Sequence, residues 1–166
     1  MKIYLASPLH SDELKKRIDT VVNFLREKGE KVYSPKDMKI ENAWDLPNQV
    51  WAKKVYDEDV KALSECNTVI CIYNSFNFAG GTGTAWELGY AKATGKDIIV
   101  LCTDIKAKQS LMIINSGMIV MPYEKYKEAW QMYKGYRPNN GISLCYISCN
   151  LWLNICCWYS RYSVHS

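Results

Sequence analysis

Glu87 lies where a carboxylic acid could act as a nucleophile. It follows the glycine-rich stretch Gly81-Thr82-Gly83-Thr84 and, before that, the apolar run Thr68-Val69-Ile70-Cys71-Ile72-Tyr73, which is typical of a buried strand. We predict a helix from residue 85 to 94, ended by Gly95, so Glu87 falls in its first turn near the carboxyl edge of a sheet. Backbone N–H groups and the helix dipole favour the ionised form of an acid there, which keeps it able to attack.

The same segment also has a purely structural interpretation. Thr84-Ala85-Trp86-Glu87 fits a capping box, in which the Glu87 side chain accepts a hydrogen bond from the Thr84 N–H. Such boxes occur in helices of every function. Taken alone, this segment therefore favours a cap over a catalytic group.

Asp59 is the second acid that needs an explanation. A helix is predicted from residue 47 to 64, and its core face is defined by apolar residues at spacings of three and four: Ala52, Val55, Tyr56, Val60 and Leu63. Asp59 lies on that face, whereas Asp57 and Glu58 fall on the solvated side. Because burying an unpartnered carboxylate is costly, Asp59 must be paired, hydrogen-bonded, protonated or exposed in a cleft. It is either a structural acid bonded to nearby backbone or Tyr56, or a proton donor with a raised pKa.

These acids are carried by alternating strands and helices. Strands are predicted at residues 2–6, 31–34, 68–73, 97–102 and 118–121, and helices at 11 or 12 to 28, 47–64, 85–94, 110–114 and 123–134. The polar loop 35–46 is long enough to form a lid or rim. Short apolar strands in this alternation predict an α/β protein with a flavodoxin-like, doubly wound, five-stranded parallel sheet covered by helices on both faces.

Composition and charge exclude several classes of protein. The 166 residues are enough for one domain, which we place at residues 1–136, and the net charge of +4 is scattered instead of forming a basic block that would favour nucleic acid. We expect no signal peptide and no membrane span, and therefore a cytoplasmic protein. Of seven cysteines, Cys66, Cys71 and Cys102 fall in or beside core strands, and no metal-ligand spacing emerges.

The tail, residues 137–166, differs from everything before it. From residue 141 onward Arg161 carries the only formal charge, and the segment is rich in Cys, Trp, Tyr, Ser and Asn without a convincing period. Its cysteines have irregular spacings and only His165 nearby, which disfavours a redox or metal patch: Cys145, Cys149, Cys156 and Cys157. It is either an ill-fitting terminal extension or a segment that packs on a neighbouring subunit, and its fold is not predicted.

Four separated segments carry the motifs of one enzyme family. They are Ile3-Tyr4-Leu5-Ala6-Ser7-Pro8; Val50-Trp51-Ala52 with Tyr56 and Asp59; Gly83-Thr84-Ala85-Trp86-Glu87-Leu88-Gly89; and Leu111-Met112-Ile113. Together they resemble the nucleoside 2-deoxyribosyltransferases. The likeness runs from about residue 2 to 136 and keeps the order and approximate separations of the segments, so it favours catalytic roles for both acids.

The resemblance implies a role for three residues. Glu87 attacks the anomeric carbon and forms a covalent deoxyribosyl-enzyme, Asp59 handles protons on the leaving and incoming bases, and Tyr4 orients the nucleophile. An ionised carboxylate beneath the sugar stabilises the positive charge that builds as the N-glycosidic bond breaks. Two successive displacements at one carbon retain its configuration.

The resemblance further implies a set of substrate-binding residues: Ser7, Pro8, His10, Trp51, Gly81, Gly83, Ser110 and Met112. The transferases usually carry an Asp at the position of Gly81, and an Asn that reaches from a neighbouring subunit at the position of Ser110. A related branch, the 2′-deoxynucleoside 5′-monophosphate N-hydrolases, holds a phosphate with serines at both. Ser110 is similar to that branch and Gly81 to neither, while His10 either stacks on the base or faces solvent.

The sequence thus predicts a nucleoside 2-deoxyribosyltransferase of nucleotide salvage that uses no cofactor and no metal. Its partners would be deoxynucleosides and free nucleobases, and the family's intersubunit sites imply a homo-oligomer, a dimer or a trimer of dimers. One alternative is an N-glycosidase that hydrolyses 2′-deoxynucleosides or their 5′-monophosphates. Another is a non-catalytic nucleotide-binding module in which Glu87 is only a cap.

Overall fold

A five-stranded parallel sheet organises the chain. The computed structural model describes residues 1–41, 43–74, 81–104 and 110–136. The strands are β1 (Lys2–Ala6), β2 (Lys31–Tyr33), β3 (Thr68–Tyr73), β4 (Asp97–Cys102) and β5 (Ile119–Pro122), and the helices are α1 (Asp12–Glu27), α2 (Asn48–Glu65), α3 (Thr82–Ala93), α4 (Leu111–Ser116) and α5 (Tyr126–Tyr136). Short 3-10 turns lie at Pro35–Asp37, Ala43–Asp45 and Tyr123–Lys125.

The strand order is β2-β1-β3-β4-β5, and every neighbouring pair is parallel. This is the flavodoxin-like doubly wound order, so the predicted fold class is confirmed. The order reverses direction at β1 and β3, and ligands of such sheets bind beyond the carboxyl ends of the strands at that point.

The core has two layers because successive strand residues point to opposite faces. Ile3 and Leu5 of β1 pack toward α1 and α5, in a cluster that includes Ile18 and Trp130. Tyr4 and Ala6 point the other way, into a cluster of side chains from the helices α2, α3 and α4: Leu63, Leu88, Ala91 and Ile113. Helices therefore cover both faces, as the sequence predicted. Cys66, Cys71 and Cys102 are buried free thiols, also as predicted.

Most helix and strand boundaries fall within a few residues of the prediction, and α1 shows why. The Ser11 hydroxyl accepts a hydrogen bond from the Leu14 N–H at 3.2 Å, and Gly29 ends the helix at φ +78°, a conformation that favours glycine. Gly95 ends α3 in the same way, at φ +70°.

The start of α3 corrects one prediction. The helix begins at Thr82, with Gly81 as its N-cap residue, so Thr84 lies buried inside the first turn and does not cap it. Burial of Thr84 extends the helix through Gly83, against a glycine cost of about 1 kcal/mol. Glu87 consequently sits in the second turn and not in the first.

A second correction concerns α2, whose predicted core face is buried only near its end. Leu63 is fully buried, but Ala52 is exposed and Tyr56 is 54% exposed. A helix of 18 residues is about 27 Å long, longer than the five- or six-residue strands it packs on. Because α2 runs antiparallel to the strands, its first turns project beyond the carboxyl edge of the sheet.

The predicted tail, residues 137–166, lies outside the described residues. Within the described ranges, no helix is long and apolar enough to cross a membrane.

Candidate active site

Glu87 is held by a tyrosine of the central strand β1. The Tyr4 hydroxyl donates a hydrogen bond to Glu87 Oε1 at 2.6 Å, and Tyr4 itself is completely buried. Residues 83 positions apart in the chain meet here because β1 lies in the sheet beneath α3. Glu87 does not act as a cap of Thr84, so its side chain is committed to the tyrosine and not to the helix end.

Asp59 is held in the same manner by a tyrosine of the neighbouring strand. The Tyr33 hydroxyl donates to Asp59 Oδ1 at 3.0 Å. In the parallel register of β1 and β2, Tyr33 lies directly beside Tyr4, and the two rings stack with centroids 5.4 Å apart. Two adjacent tyrosines thus bring the two acids of the sequence analysis to one edge of the sheet.

The nucleophile candidate has an unusual protonation equilibrium. Burial, helped by the nearby charge of Asp59, raises the pKa of Glu87 from 4.5 to about 7, although the hydrogen bond from Tyr4 lowers it in part. The sequence analysis expected the helix dipole to keep this acid ionised. That expectation is wrong, because the dipole acts mainly on the first turn and Glu87 lies in the second.

The other titratable groups of the site shift for the same main reason. Burial raises the pKa of Asp59 and the charge of Glu58 adds to it, while the hydroxyls of Tyr33 and Tyr4 lower it. Burial and the neighbouring carboxylates raise the pKa of Tyr4 and of Tyr33 well above the usual tyrosine range. Both hydroxyls therefore keep their protons at neutral pH and remain donors.

Several predicted substrate-binding residues lie on the elements that carry this pair and its tyrosines. Ser7 and Pro8 directly follow β1 and are buried, with the Ser7 hydroxyl 3.3 Å from the Pro8 carbonyl oxygen. His10 is exposed beside them, Trp51 is 45% exposed on the projecting part of α2, and Gly81 and Gly83 form the start of α3.

Ser110 and Met112 are not brought to Glu87 within one chain. They line a groove of about 540 Å³ between α3 and α4, opposite Ala85, Gly89 and Ala93. With 3.6 residues per turn, Glu87 projects roughly 150° around the α3 axis from the side that lines this groove. Met112 is 83% exposed there.

Sequence reasoning missed Tyr33. It is the last residue of a three-residue strand and carries no motif. The one sequence feature that pointed to it is its position near the end of the second predicted strand. Side chains there lie close to the carboxyl edge of the sheet, where ligands bind.

A cavity of about 600 Å³ opens beside Tyr33. Residues 38–41 of the predicted rim form one wall, and α2 forms the other with Lys54, Asp57 and Glu58. In the described ranges, no three His, Cys, Asp or Glu side chains converge as a metal site.

A doubly wound sheet with two half-buried carboxylic acids joined through tyrosines at its carboxyl edge has the elements of an enzyme for glycosidic bonds. The sequence profile of the nucleoside 2-deoxyribosyltransferase family matches residues 3–134, and the chain belongs to that family. The family indicates an enzyme that transfers glycosyl groups or cleaves N-glycosidic bonds.

Solved structures agree with this assignment. The chain is 28% identical to a 2-deoxyribosyltransferase from Bacillus psychrosaccharolyticus, with a TM-score of 0.62 over 72% of this chain and 85% of that one. It is 29% identical to a CMP N-glycosidase from Clostridium botulinum, with a TM-score of 0.54 over 82% and 100%. A conserved protein from Enterococcus faecalis V583, at 19% identity, TM-score 0.58 and coverage of 80% and 98%, shares the fold. A comparison with curated proteins gave no match.

Proposed function

We propose that this protein is a nucleoside 2-deoxyribosyltransferase, with Glu87 as nucleophile and Asp59 as proton donor and acceptor. The observation that carries the proposal is the connected set Glu87, Tyr4, Tyr33 and Asp59, in which two hydrogen bonds and one ring stack place two acids at one edge. Family membership supports the sugar chemistry.

In the first half of the reaction, an ionised Glu87 oxygen bonds to C1′ of the 2-deoxyribose as the C1′–N bond to the base breaks. The base leaves with that electron pair and takes the proton of Asp59. Tyr4 holds Oε1 of Glu87, so the other oxygen is directed at the sugar. The product is a deoxyribosyl ester of Glu87 and a free base.

In the second half, a different base attacks C1′ from the side that the first base left. Asp59, now ionised, removes the proton from the attacking nitrogen, and Glu87 leaves as a carboxylate. Each displacement inverts C1′, so the new nucleoside has the original configuration. Asp59 ends protonated, and the cycle is closed without any cofactor.

The working state of the pair holds one proton, on Asp59. Because Glu87 takes up a proton near pH 7, the ionised nucleophile prevails above neutrality and is lost progressively below it. At a pH high enough to remove the proton of Asp59, the leaving base has no donor. At low pH both acids are protonated and the nucleophile is lost.

A second subunit would complete the site. Exposed apolar side chains lie on α2, α3 and α4, where a neighbouring copy could cover them: Val50, Trp51, Tyr56, Trp86, Leu111 and Met112. Ser110 and Met112 line the groove on the side of α3 that faces away from Glu87 of their own chain, so we assign them as substrate-binding residues for a neighbouring copy. We therefore include a homo-oligomer, a dimer or trimer of dimers, in the proposal.

One observation favours a second function, N-glycoside hydrolysis. The chain is as similar in identity to a CMP N-glycosidase as to a transferase, at 29% and 28%. It also has Ser110, which suits a phosphate contact, and Gly81, which brings no side chain to the sugar hydroxyls. In that reaction water replaces the second base.

Incubation of the protein with a 2′-deoxynucleoside, with and without a second free base, tests the proposal. A new nucleoside that forms only with the second base supports transfer. Free sugar in both mixtures identifies a hydrolase, and the same mixtures made with a 5′-monophosphate decide the phosphate preference. No turnover of either substrate, with binding retained, identifies a nucleotide-binding module and overturns the proposal.

A further inference from the structure

Tyr33 contacts both halves of the site but has no role in the reaction as described above. Its hydroxyl lies 3.0 Å from Asp59 Oδ1, and its ring stacks on Tyr4, whose hydroxyl lies 2.6 Å from Glu87 Oε1. Tyr33 therefore contacts one acid directly and the other through a single neighbour.

We propose that Tyr33 is a positioning residue: its hydroxyl holds one oxygen of Asp59 so that the other oxygen presents the proton to the leaving base. This inference rests on the proposed function, because it assigns the proton path of that reaction.

The hydrogen bond selects which oxygen of Asp59 carries the proton. A tyrosine hydroxyl has one proton, and Tyr33 donates it to Oδ1. The proton of the neutral carboxyl group then resides on Oδ2. In the first half-reaction it passes from Oδ2 to a ring nitrogen of the base, and in the second the incoming base returns a proton to Oδ2. Tyr33 gains and loses nothing in the cycle.

The strand pairing makes this arrangement rigid. Tyr33 is paired with Tyr4 in the register of β1 and β2, and the two rings lie at 21° to each other. Groups carried on paired strands and locked by packing hold their geometry better than groups on loops. The stack therefore sets the spacing between the proton donor and the nucleophile.

Among the described residues, four groups act on the charge state of Asp59. Tyr33 from β2 and Tyr4 from β1 lower its pKa, Glu58 on its own helix raises it, and Glu87 on α3 is close enough to interact with its charge. Loss of the Tyr33 hydroxyl removes one of the groups that favour ionisation. The pKa of Asp59 should then rise.

The substitution Tyr33→Phe tests the inference, because it keeps the ring and removes the hydroxyl. Two substrates are compared: a 2′-deoxynucleoside that the parent protein cleaves, and 4-nitrophenyl 2-deoxy-β-ribofuranoside, whose phenolate leaves without a proton. We expect kcat for the nucleoside to fall about ten- to hundredfold, the range for loss of a hydrogen bond to a charged group, with less than about a twofold change for the nitrophenyl compound.

The same variant should change the pH profile. Asp59 sets the limb at which activity falls with rising pH, because the leaving base needs its proton. This limb should move to higher pH in Tyr33→Phe, while the rising limb that Glu87 sets near pH 7 stays in place. Tyr123→Phe is the matched control, because its hydroxyl makes a 3.2 Å hydrogen bond to the Arg17 carbonyl away from the site. It should leave both substrates and the profile unchanged.

Equal losses for both substrates in Tyr33→Phe, or no loss for either, overturn the positioning role. Asp59→Asn should show the same selective loss for the nucleoside, and combining it with Tyr33→Phe should add little. Full nucleoside activity in Asp59→Asn or Glu87→Gln means that the proposed function itself has failed. If those two variants are impaired and Tyr33→Phe is not, only the present inference is wrong.

Discussion

The two sides of α3 differ in how many of their side chains find partners within one chain. On the tyrosine side, which faces β1 and α2, Glu87 meets Tyr4, and Trp86 lies between Tyr56 and Tyr90 with ring centroids 5.7 and 5.5 Å away. On the groove side, which faces α4, small side chains line an open groove beside the exposed Met112. The proposed catalytic pair is thus assembled by a single chain, whereas the residues predicted to bind substrate near α4 lie on the other side of α3.

Under the proposed function, the catalytic acids and the substrate-binding residues therefore have separate structural origins. Strand register places the acids, since Tyr4 and Tyr33 are neighbours in the sheet. Nothing within the described part of one chain brings Ser110 or Met112 to them. In the proposed function, the residues on the tyrosine side break the N-glycosidic bond. Association of subunits then determines which substrate is bound.

The largest expected effect is at the tyrosine side. Glu87→Gln keeps an oxygen that can accept from Tyr4 but cannot attack C1′, so turnover should fall by about 10⁴-fold or more. The measurement is kcat with a deoxynucleoside and a second base. Glu65→Gln, which changes only an exposed ion pair with Lys2, serves as control and should match the parent. Retention of a tenth of the activity in Glu87→Gln would reject the nucleophile assignment.

The pH dependence separates the two acids with the substrates already named. The nitrophenyl compound needs only ionised Glu87, so its rate should rise about tenfold per pH unit until about pH 7 and then level off. The nucleoside also needs protonated Asp59, so its rate should fall again at higher pH, where Asp59 loses its proton. Initial rates from pH 4 to 9 give both curves, and identical curves contradict the division of labour.

On the groove side, Met112→Glu should impair association. A carboxylate at an 83% exposed position costs the isolated chain little, but it is expensive to bury in an apolar interface. We expect a shift toward monomer in sedimentation analysis and a loss of about ten- to hundredfold in kcat/KM. Lys125→Glu, at an exposed site on another face, is the control. A monomer that retains full activity would show that one chain is sufficient.

The smallest expected effect is that of Glu87→Gln on stability. The variant should be more stable than the parent although it is less active. The folded-state pKa of Glu87 lies above the value of 4.5 for an unfolded chain, so the folded state binds more protons between about pH 4.5 and 7 and loses stability as pH rises through that window. Glu87→Gln should therefore raise the free energy of unfolding by up to about 3 kcal/mol at pH 8 and by nothing near pH 4.

Urea denaturation of the parent and Glu87→Gln at both pH values measures this difference. The difference in free energy of unfolding between Glu87→Gln and the parent should be larger at pH 8 than at pH 4. Equal differences at the two pH values would show that Glu87 is not desolvated in the folded protein. The test needs no substrate, so it is independent of which base or sugar the protein prefers.

Sequence patterns were sufficient for the fold, and they drew attention to the two acids that the structure brings beside stacked tyrosines. Alternation of apolar strands and amphipathic helices predicts a parallel sheet because burial fixes which face of each element turns inward. Gly29 and Gly95 mark helix ends because few other residues adopt positive φ. Glu87 was singled out by its place after a glycine-rich stretch and Asp59 as an acid on an apolar helix face, and the family motifs then favoured catalytic roles for both.

The raised pKa values of those acids, the contacts of Tyr33 and the place of Ser110 in the groove beside α4 follow from the tertiary structure alone. Desolvation depends on every atom around a group. Burial therefore raises the pKa of Glu87, whereas the helix dipole considered alone favours the ionised form. Tyr33 acquires its neighbours from strand pairing, in which residues 29 positions apart, Tyr4 and Tyr33, become adjacent. A chain encodes such contacts through its whole fold, and no short window of sequence contains them.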